Sequence, residues 1–71
     1  MFFQRIEDLR SDNDKTQQEI ADFLHCQRSV YRRYEKGERA LPVWALVKLA
    51  DYYGVSTDYI LGRTNNPKPY R

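Results

Sequence analysis

The sequence contains few of the residues that cross-link or bend a protein chain: one cysteine, three glycines and three prolines among 71 residues. Because a lone cysteine cannot form an internal disulfide, the chain is typical of a reducing compartment, and we expect it in the cytoplasm. The longest apolar run, VWALVKLA, is interrupted by Lys48 and is too short to cross a bilayer. The opening MFFQRIEDLR has no basic segment followed by an apolar stretch, so we expect no secretory signal.

Features that carry chemistry in enzymes are also missing from the sequence. It has no glycine-rich phosphate loop and no paired nucleophile and base. It also has no alternation of apolar and polar residues long enough to predict a β-strand. His25 and Cys26 are neighbours, but a metal site needs three or four ligands, and no others accompany them. We therefore expect no enzyme, no catalytic residue, no metal and no cofactor.

Signals for helices, in contrast, follow one another along the chain. Apolar residues at helical spacing predict a first helix over about residues 2–11. Thr16 and Glu19 form a capping box, which predicts the start of a second helix. A third helix is expected over about residues 28–36, ending at Gly37, because glycine readily takes a left-handed conformation.

Two more helices and a tail complete the predicted organisation. Pro42 suits the first position of a fourth helix, and Ser56 suits the cap of a short fifth helix that ends before Gly62. The side of the fourth helix expected to be buried consists of regularly spaced apolar residues: Val43, Leu46, Val47, Ala50 and Tyr53. We predict a compact all-α bundle over residues 1–62, followed by a short basic, proline-containing tail over residues 63–71 that is flexible.

Basic charge is concentrated in the middle of the chain. Residues 1–26 carry three basic and six acidic side chains, residues 27–39 carry five and two, and residues 40–71 carry four and two. At about 100° per residue, the third helix has its basic and small polar residues on one arc and its apolar residues on the other. Like charges four residues apart repel by roughly a few tenths of a kcal/mol, so this acid-free arc indicates a negatively charged partner. An ordinary solvated basic face is the alternative.

Three stretches carry a family resemblance: QQEIADFL at residues 17–24, RSVYRRYEKGER at residues 28–39, and ADYYGVSTDYILG at residues 50–62. Together they resemble the phage repressor/Cro-like (Xre-type) family of helix-turn-helix DNA-binding domains. The resemblance implies a five-helix domain in which the second helix lies over the DNA backbone and the third enters the major groove. It also implies binding as a homodimer to a palindromic double-stranded operator.

The resemblance implies DNA-contacting roles for nine residues. Gln17, the first residue of the second helix, matches a position that binds a phosphate. Arg28 matches a base-reading position, and its guanidinium can bind guanine through two hydrogen bonds. Lys36 and Arg39, on either side of the glycine turn, suit the DNA backbone. The full set expected to contact DNA is Gln17, Gln18, Gln27, Arg28, Ser29, Arg32, Arg33, Lys36 and Arg39.

The resemblance also concerns how the bundle is held together. It implies an ion pair between Arg10 of the first helix and Glu35 of the third. His25 stands where the turn between the second and third helices usually has glycine, so a histidine with positive φ is expected. Gln27 replaces the usual Ser or Thr cap, and Tyr31 replaces a buried aliphatic residue, so its hydroxyl needs a partner or contact with solvent.

Two functional classes follow from these features. The first is a sequence-specific DNA-binding transcriptional regulator, most simply a repressor that binds its operator as a homodimer. The second is a protein-interaction module on the same fold, such as an antitoxin that binds a partner protein. The basic, acid-free arc of the third helix favours the first class. Salt dependence separates the two, because binding that neutralises phosphates weakens as salt rises.

Overall fold

Five α-helices make up the structure, a computed structural model that describes residues 2–69. They are α1 Gln4–Asp12, α2 Gln17–Phe23, α3 Arg28–Lys36, α4 Val43–Tyr53 and α5 Thr57–Ile60, with no strand among the described residues. The predicted all-α fold of five helices is therefore confirmed. None of these helices is long and apolar enough to cross a membrane. Met1, Tyr70 and Arg71, which belong to the predicted bundle and tail, lie outside the described residues.

The start of α2 and the end of α3 follow directly from local sequence. Thr16 Oγ1 accepts a hydrogen bond from the Glu19 amide at 3.1 Å, and Glu19 Oε1 accepts one from the Thr16 amide at 3.1 Å. This is the predicted capping box, which satisfies two of the amides that a helix start leaves unpaired. Gly37 has φ 75° and ends α3 in the left-handed conformation, as predicted.

The starts of α4 and α5 show one difference from the prediction. Pro42, with ψ 152°, precedes α4 as its N-cap, so the prediction that it is the first helical residue is wrong by one position. Ser56 caps α5 as expected, since its hydroxyl accepts a hydrogen bond from the Tyr59 amide at 3.0 Å. The observed starts of α4 and α5 therefore lie within one residue of the predicted starts, which is the usual uncertainty of a helix boundary.

The turn between α2 and α3 reverses at His25, which has φ 57°. The His25 amide donates to the Asp22 carbonyl at 3.1 Å, and the Cys26 amide donates to the Ala21 carbonyl at 3.0 Å. This pair of hydrogen bonds is the Schellman motif, in which glycine usually occupies the left-handed position. A side chain in that conformation costs roughly 1–2 kcal/mol because its Cβ approaches the following carbonyl oxygen.

Replacing His25 with glycine is expected to raise the free energy of unfolding by up to about 1 kcal/mol, because glycine relieves the Cβ clash but has more freedom to lose on folding. Urea unfolding measures the change. Gly54→Ala is the reverse substitution and serves as the control, since Gly54 also has positive φ, at 67°, and a Cβ there meets no atom within 4 Å. It should lose about 1 kcal/mol from backbone strain alone. A His25→Gly protein that melts no higher than the parent contradicts the strained turn.

The core lies where the helices meet and draws side chains from all of them. The most deeply buried apolar residues are Ile6, Ile20, Ala21, Leu24, Tyr31, Ala45, Leu49 and Ile60. The Tyr31 hydroxyl makes no hydrogen bond of normal geometry within residues 2–69, although the Glu35 carboxylate lies near enough to interact with it. Burial, followed by interaction with the Glu35 carboxylate, raises the pKa of Tyr31, which keeps the hydroxyl neutral.

The face that α4 turns to the core differs from the predicted one. Ala45 and Leu49 are fully buried, whereas Val43 and Val47, both predicted to be buried, are 75% and 45% exposed. Of the predicted set, Ala50 is buried and the other two residues are partly buried. The helix is apolar around most of its circumference, so residue spacing alone does not determine its rotation about its own axis. Packing turns it by roughly 60–70° from the predicted orientation.

Part of the C-terminal tail contacts the bundle. The Arg5 guanidinium donates hydrogen bonds to three oxygens, the Tyr59 carbonyl at 2.7 Å, the Thr64 carbonyl, and Asn65 Oδ1 at 2.7 Å. It also lies 4.1 Å from the centre of the Tyr59 ring, a cation–π distance. The Ser56 amide donates to the Pro67 carbonyl at 2.9 Å. The predicted boundary after residue 62 and the flexibility of the tail stay predictions.

Candidate nucleic-acid interface

The two arcs of α3 have opposite environments. Tyr31, Tyr34 and Glu35 are buried. The opposite arc is exposed and consists of Arg28, Ser29, Arg32, Arg33 and Lys36. The side chains that hold α3 in the bundle are thus separate from those available to a partner.

Two shallow grooves adjoin along this exposed arc. The first is lined by Arg10, Lys15, Thr16, Gln17, Gln18 and Arg28. The second is lined by Gln18, Arg28, Ser29 and Arg32. Gln18 and Arg28 line both grooves, so the start of α2 and the start of α3 form one continuous surface. Its guanidinium and amide groups are donors of the kind that bind phosphates and base edges.

The remaining predicted contact residues lie in different settings. Gln27 is the N-cap of α3 and makes no side-chain capping hydrogen bond, as its poor capping ability leads one to expect. Gln27 and Arg39 are both exposed. Gln17 is only partly exposed, and its Nε2 donates to Glu35 Oε1 at 3.1 Å. The Gln17 amide, expected to bind a phosphate, therefore already donates one of its two N–H groups inside the protein.

Behind the grooves, one buried carboxylate joins α1, α2 and α3. Arg10 Nε donates to Glu35 Oε2 at 2.7 Å, and Arg10 Nη2 donates to Glu35 Oε1 at 3.1 Å. Burial favours the neutral form of Glu35, but the interactions with Arg10, Tyr31 and Gln17 outweigh it and hold the pKa of Glu35 below its ordinary value. The side chain of Glu35 has no exposed surface, so this charge depends on its partners within the protein.

Two cations of the exposed arc have acidic neighbours that the sequence did not reveal. Arg32 Nη1 lies 3.9 Å from Glu38 Oε1, and Lys36 Nζ lies 3.6 Å from Glu7 Oε2. Exposed pairs of this kind contribute at most about 1 kcal/mol, so either cation can exchange its acid for a stronger anion. The exposed arc of α3 itself carries no acid, because Glu7 lies on α1 and Glu38 follows α3. Within residues 2–69, Arg28 makes no ion pair.

Metal and thiol chemistry have no support among residues 2–69. No group of three or more His, Cys, Asp or Glu side chains in that range could hold a metal ion. Cys26 is a free thiol, and burial raises its pKa, which disfavours the reactive thiolate. The His25–Cys26 pair therefore belongs to the turn.

Residues 4–60 match a family model described as a helix-turn-helix domain. The chain belongs to this helix-turn-helix family. Among curated relatives, the chain is 39% identical over 69 residues to the uncharacterized HTH-type transcriptional regulator YobD of Bacillus subtilis, covering 97% of the chain and 62% of that protein. It is 38% identical over 55 residues to the cryptic phage CTXphi transcriptional repressor RstR of Vibrio cholerae, covering 78% and 50%.

A third relative is the HTH-type transcriptional regulator ImmR of Bacillus subtilis, which is 36% identical over 59 residues, covering 83% of this chain and 46% of that protein. The chain therefore spans between 46% and 62% of the length of these three relatives. No solved structure matches the chain at the same level of significance. The similarity is thus one of the helix-turn-helix domain and not of the longer proteins as wholes.

Proposed function

We propose that this helix-turn-helix domain binds double-stranded DNA in the cytoplasm as part of a transcriptional regulator, most simply a repressor. The observation that carries the proposal is the exposed basic arc of α3, continuous with the amide side chains at the start of α2. Relatives named as a repressor and as transcriptional regulators support it. In this proposal α3 enters the major groove and the start of α2 lies against the backbone.

The surroundings of each cation divide the proposed roles. Arg28 lines both grooves and makes no ion pair within residues 2–69, which favours it as the base reader. Arg32 and Lys36 are held near acids, which suits exchange onto phosphates. The other proposed base-edge or backbone contacts are Gln17, Gln18, Gln27, Ser29, Arg33 and Arg39.

Dimeric binding is part of the same proposal because α3 alone reads little sequence. Its nine residues span only about 13 Å at about 1.5 Å per residue, or roughly four base pairs. Two copies related by a twofold axis double the sequence read and match a palindromic operator. We therefore propose a homodimer with its two α3 helices in successive major grooves on one side of the duplex.

Selection of bound duplexes from a random pool tests this function most directly. The expected product is a palindrome with half-sites about 10 base pairs apart, centre to centre. Affinity for the selected duplex should fall steeply with salt, because each neutralised phosphate releases counterions. Recovery of no consensus, together with affinity independent of salt, would instead support the alternative of a protein-interaction module such as an antitoxin.

Removing the acid beside Arg32 should strengthen DNA binding. Glu38→Gln frees the Arg32 guanidinium and removes a negative charge from the interface, so affinity for any duplex should rise about two- to tenfold at low salt. Fluorescence anisotropy at two salt concentrations measures the change. Asp8→Asn, on α1, makes the same change in net charge at a carboxylate that accepts from Gln4. An equal gain from both variants would show that net charge alone is responsible.

A further inference from the structure

Exposed apolar surface is concentrated on α4. The described residues include five large apolar side chains that are exposed, and four of them belong to this helix: Val43, Trp44, Val47 and Tyr52. Val43 is 75% exposed and Trp44 is 50% exposed, although tryptophan normally buries most of its surface. Val43, Trp44 and Val47 lie within about 100° of one another around the helix, and exposed apolar side chains grouped in this way typically mark an interaction site.

One face of α4 combines this patch with one charge of each sign. At about 100° per residue, five side chains share an arc of roughly 140°. They are Val43, Val47, Asp51, Trp44 and Lys48, and we call this arc the α4 face. Val47 and Asp51 also line a groove against α5 and the tail, together with Val55, Thr57 and Pro69. None of these residues lines the two grooves assigned to DNA.

We infer that the α4 face is where two copies of this chain meet, with their α4 helices antiparallel about a twofold axis at a level between Lys48 and Asp51. The inference rests on the homodimer of the proposed function and names its surface. A twofold interface uses the same patch on both copies, so the patch must complement itself. The α4 face does so: the axis brings Lys48 and Trp44 of one copy within reach of the partner's Asp51.

The charges of the α4 face favour a second copy over other occupants. One lysine and one aspartate cancel, so the face offers a polyanion no net attraction. In the antiparallel pairing each lysine meets an aspartate, and the Trp44 indole N–H can donate to the partner's carboxylate. Val43 and Val47 then lose their contact with water in the centre of the interface, where apolar and tryptophan side chains contribute most of the binding energy.

Trp44 provides the first test because it is the only tryptophan in the chain. Sedimentation equilibrium should show a monomer–dimer equilibrium, and Trp44 emission should shift to shorter wavelength as the dimer forms. Val47→Asp should raise the dimer dissociation constant at least about tenfold, because it places a new acid beside the partner's Asp51. Phe2→Asp is the matched control, since Phe2 is 53% exposed but lies off α4; it should dimerise as the parent does.

A charge exchange provides the second test and identifies the partner. Lys48→Glu and Asp51→Lys should each abolish the dimer, because each sets like charges against one another on both sides of the twofold axis. Mixed in equal amounts, the two variants should dimerise with each other, because the opposite charges then meet again. A parent chain that is monomeric up to about 1 mM, a Val47→Asp dimer of unchanged strength, or a mixture that stays monomeric would each overturn the inference.

Binding to a single half-site duplex keeps this test separate from the proposed function. Val47→Asp should retain the half-site affinity of the parent, because Val47 lies outside the DNA-contacting set, and should lose only the tight binding to the full palindrome. If the α4 variants dimerise normally while half-site binding persists, the interface is elsewhere and the DNA-binding proposal stands. If the parent dimerises as described but binds no half-site, the interface stands and the DNA-binding proposal fails.

Discussion

Arg10→Met is expected to lower the free energy of unfolding by about 3–5 kcal/mol, because it leaves the carboxylate of Glu35 buried without its charged partner. The Glu35 side chain is fully buried and receives two hydrogen bonds from Arg10. A chain of this length buries a small core, so a loss of that size removes much of its stability. Thermal and urea unfolding measure it. Lys15→Met is the control, since Lys15 makes only an exposed pair with Glu19 at 3.9 Å.

The pH dependence of that loss identifies its cause. In the parent the pKa of Glu35 is lowered, so its stabilising contribution is present above the ordinary glutamate pKa and is lost as pH falls through the lowered value. Without Arg10, burial raises the pKa of Glu35, so the penalty shrinks as acid protonates the carboxylate. The parent and the variant should therefore converge in stability on acidification. A difference that is constant from pH 7 to pH 4 would mean that lost packing, not the unpaired charge, causes the effect.

A double variant gives the complementary measurement. Arg10→Met combined with Glu35→Leu removes the charge together with its partner, and such replacements of buried ion pairs are often close to neutral. Most of the stability lost in Arg10→Met should return. The Gln17 amide then loses its acceptor as well, and because it is only partly buried it can bond to water instead.

Arg28→Ala is expected to have the largest effect on DNA binding, a loss of about 1–3 kcal/mol per half-site together with relaxed preference at one base pair. Fluorescence anisotropy against the selected operator, and against duplexes changed at each position, separates these two losses. Arg63→Ala is the matched control because Arg63 is also exposed but lies beyond α5. A loss that is equal on every duplex would assign Arg28 to the DNA backbone.

Gln17→Ala supplies the contrasting result. A phosphate contact carries no sequence information, so this change should weaken binding to all duplexes by a similar factor. Because Gln17 also donates to Glu35, the stability of the variant must be measured beside its affinity. If both Gln17→Ala and Arg28→Ala bind the operator as the parent does at moderate salt, the assignment of α2 and α3 to DNA is wrong.

Much of the fold could be predicted from sequence because its signals are local. The capping box at Thr16 and the left-handed Gly37 depend on neighbours within a few residues, so they fix helix ends wherever the helices pack. The left-handed His25 belongs to the same class, since the turn requires that conformation whatever residue occupies it. The two arcs of α3 could be predicted in the same way, because its basic residues and its apolar residues lie on opposite sides of the helix.

Other features depend on packing and could not be predicted in the same way. The rotation of α4 about its own axis depends on which of its apolar arcs packs best against the other helices. Ala45 and Leu49 are buried, although the residue spacing predicted burial of Val43 and Val47. The contacts of Arg5 with the tail join residues more than 50 positions apart and follow no periodic pattern. The acids near Arg32 and Lys36 come from outside α3 and were missed for the same reason.

The division of α3 into two arcs has a consequence for how such domains diversify. The outward residues Arg28, Ser29 and Arg32 can be exchanged without opening a cavity in the core or leaving the Glu35 charge unpaired. Under the proposed function, operator preference and folding can therefore be inherited separately. Substitutions confined to the outward arc of this chain should therefore change what it binds while the buried arc, and with it the melting temperature, changes little.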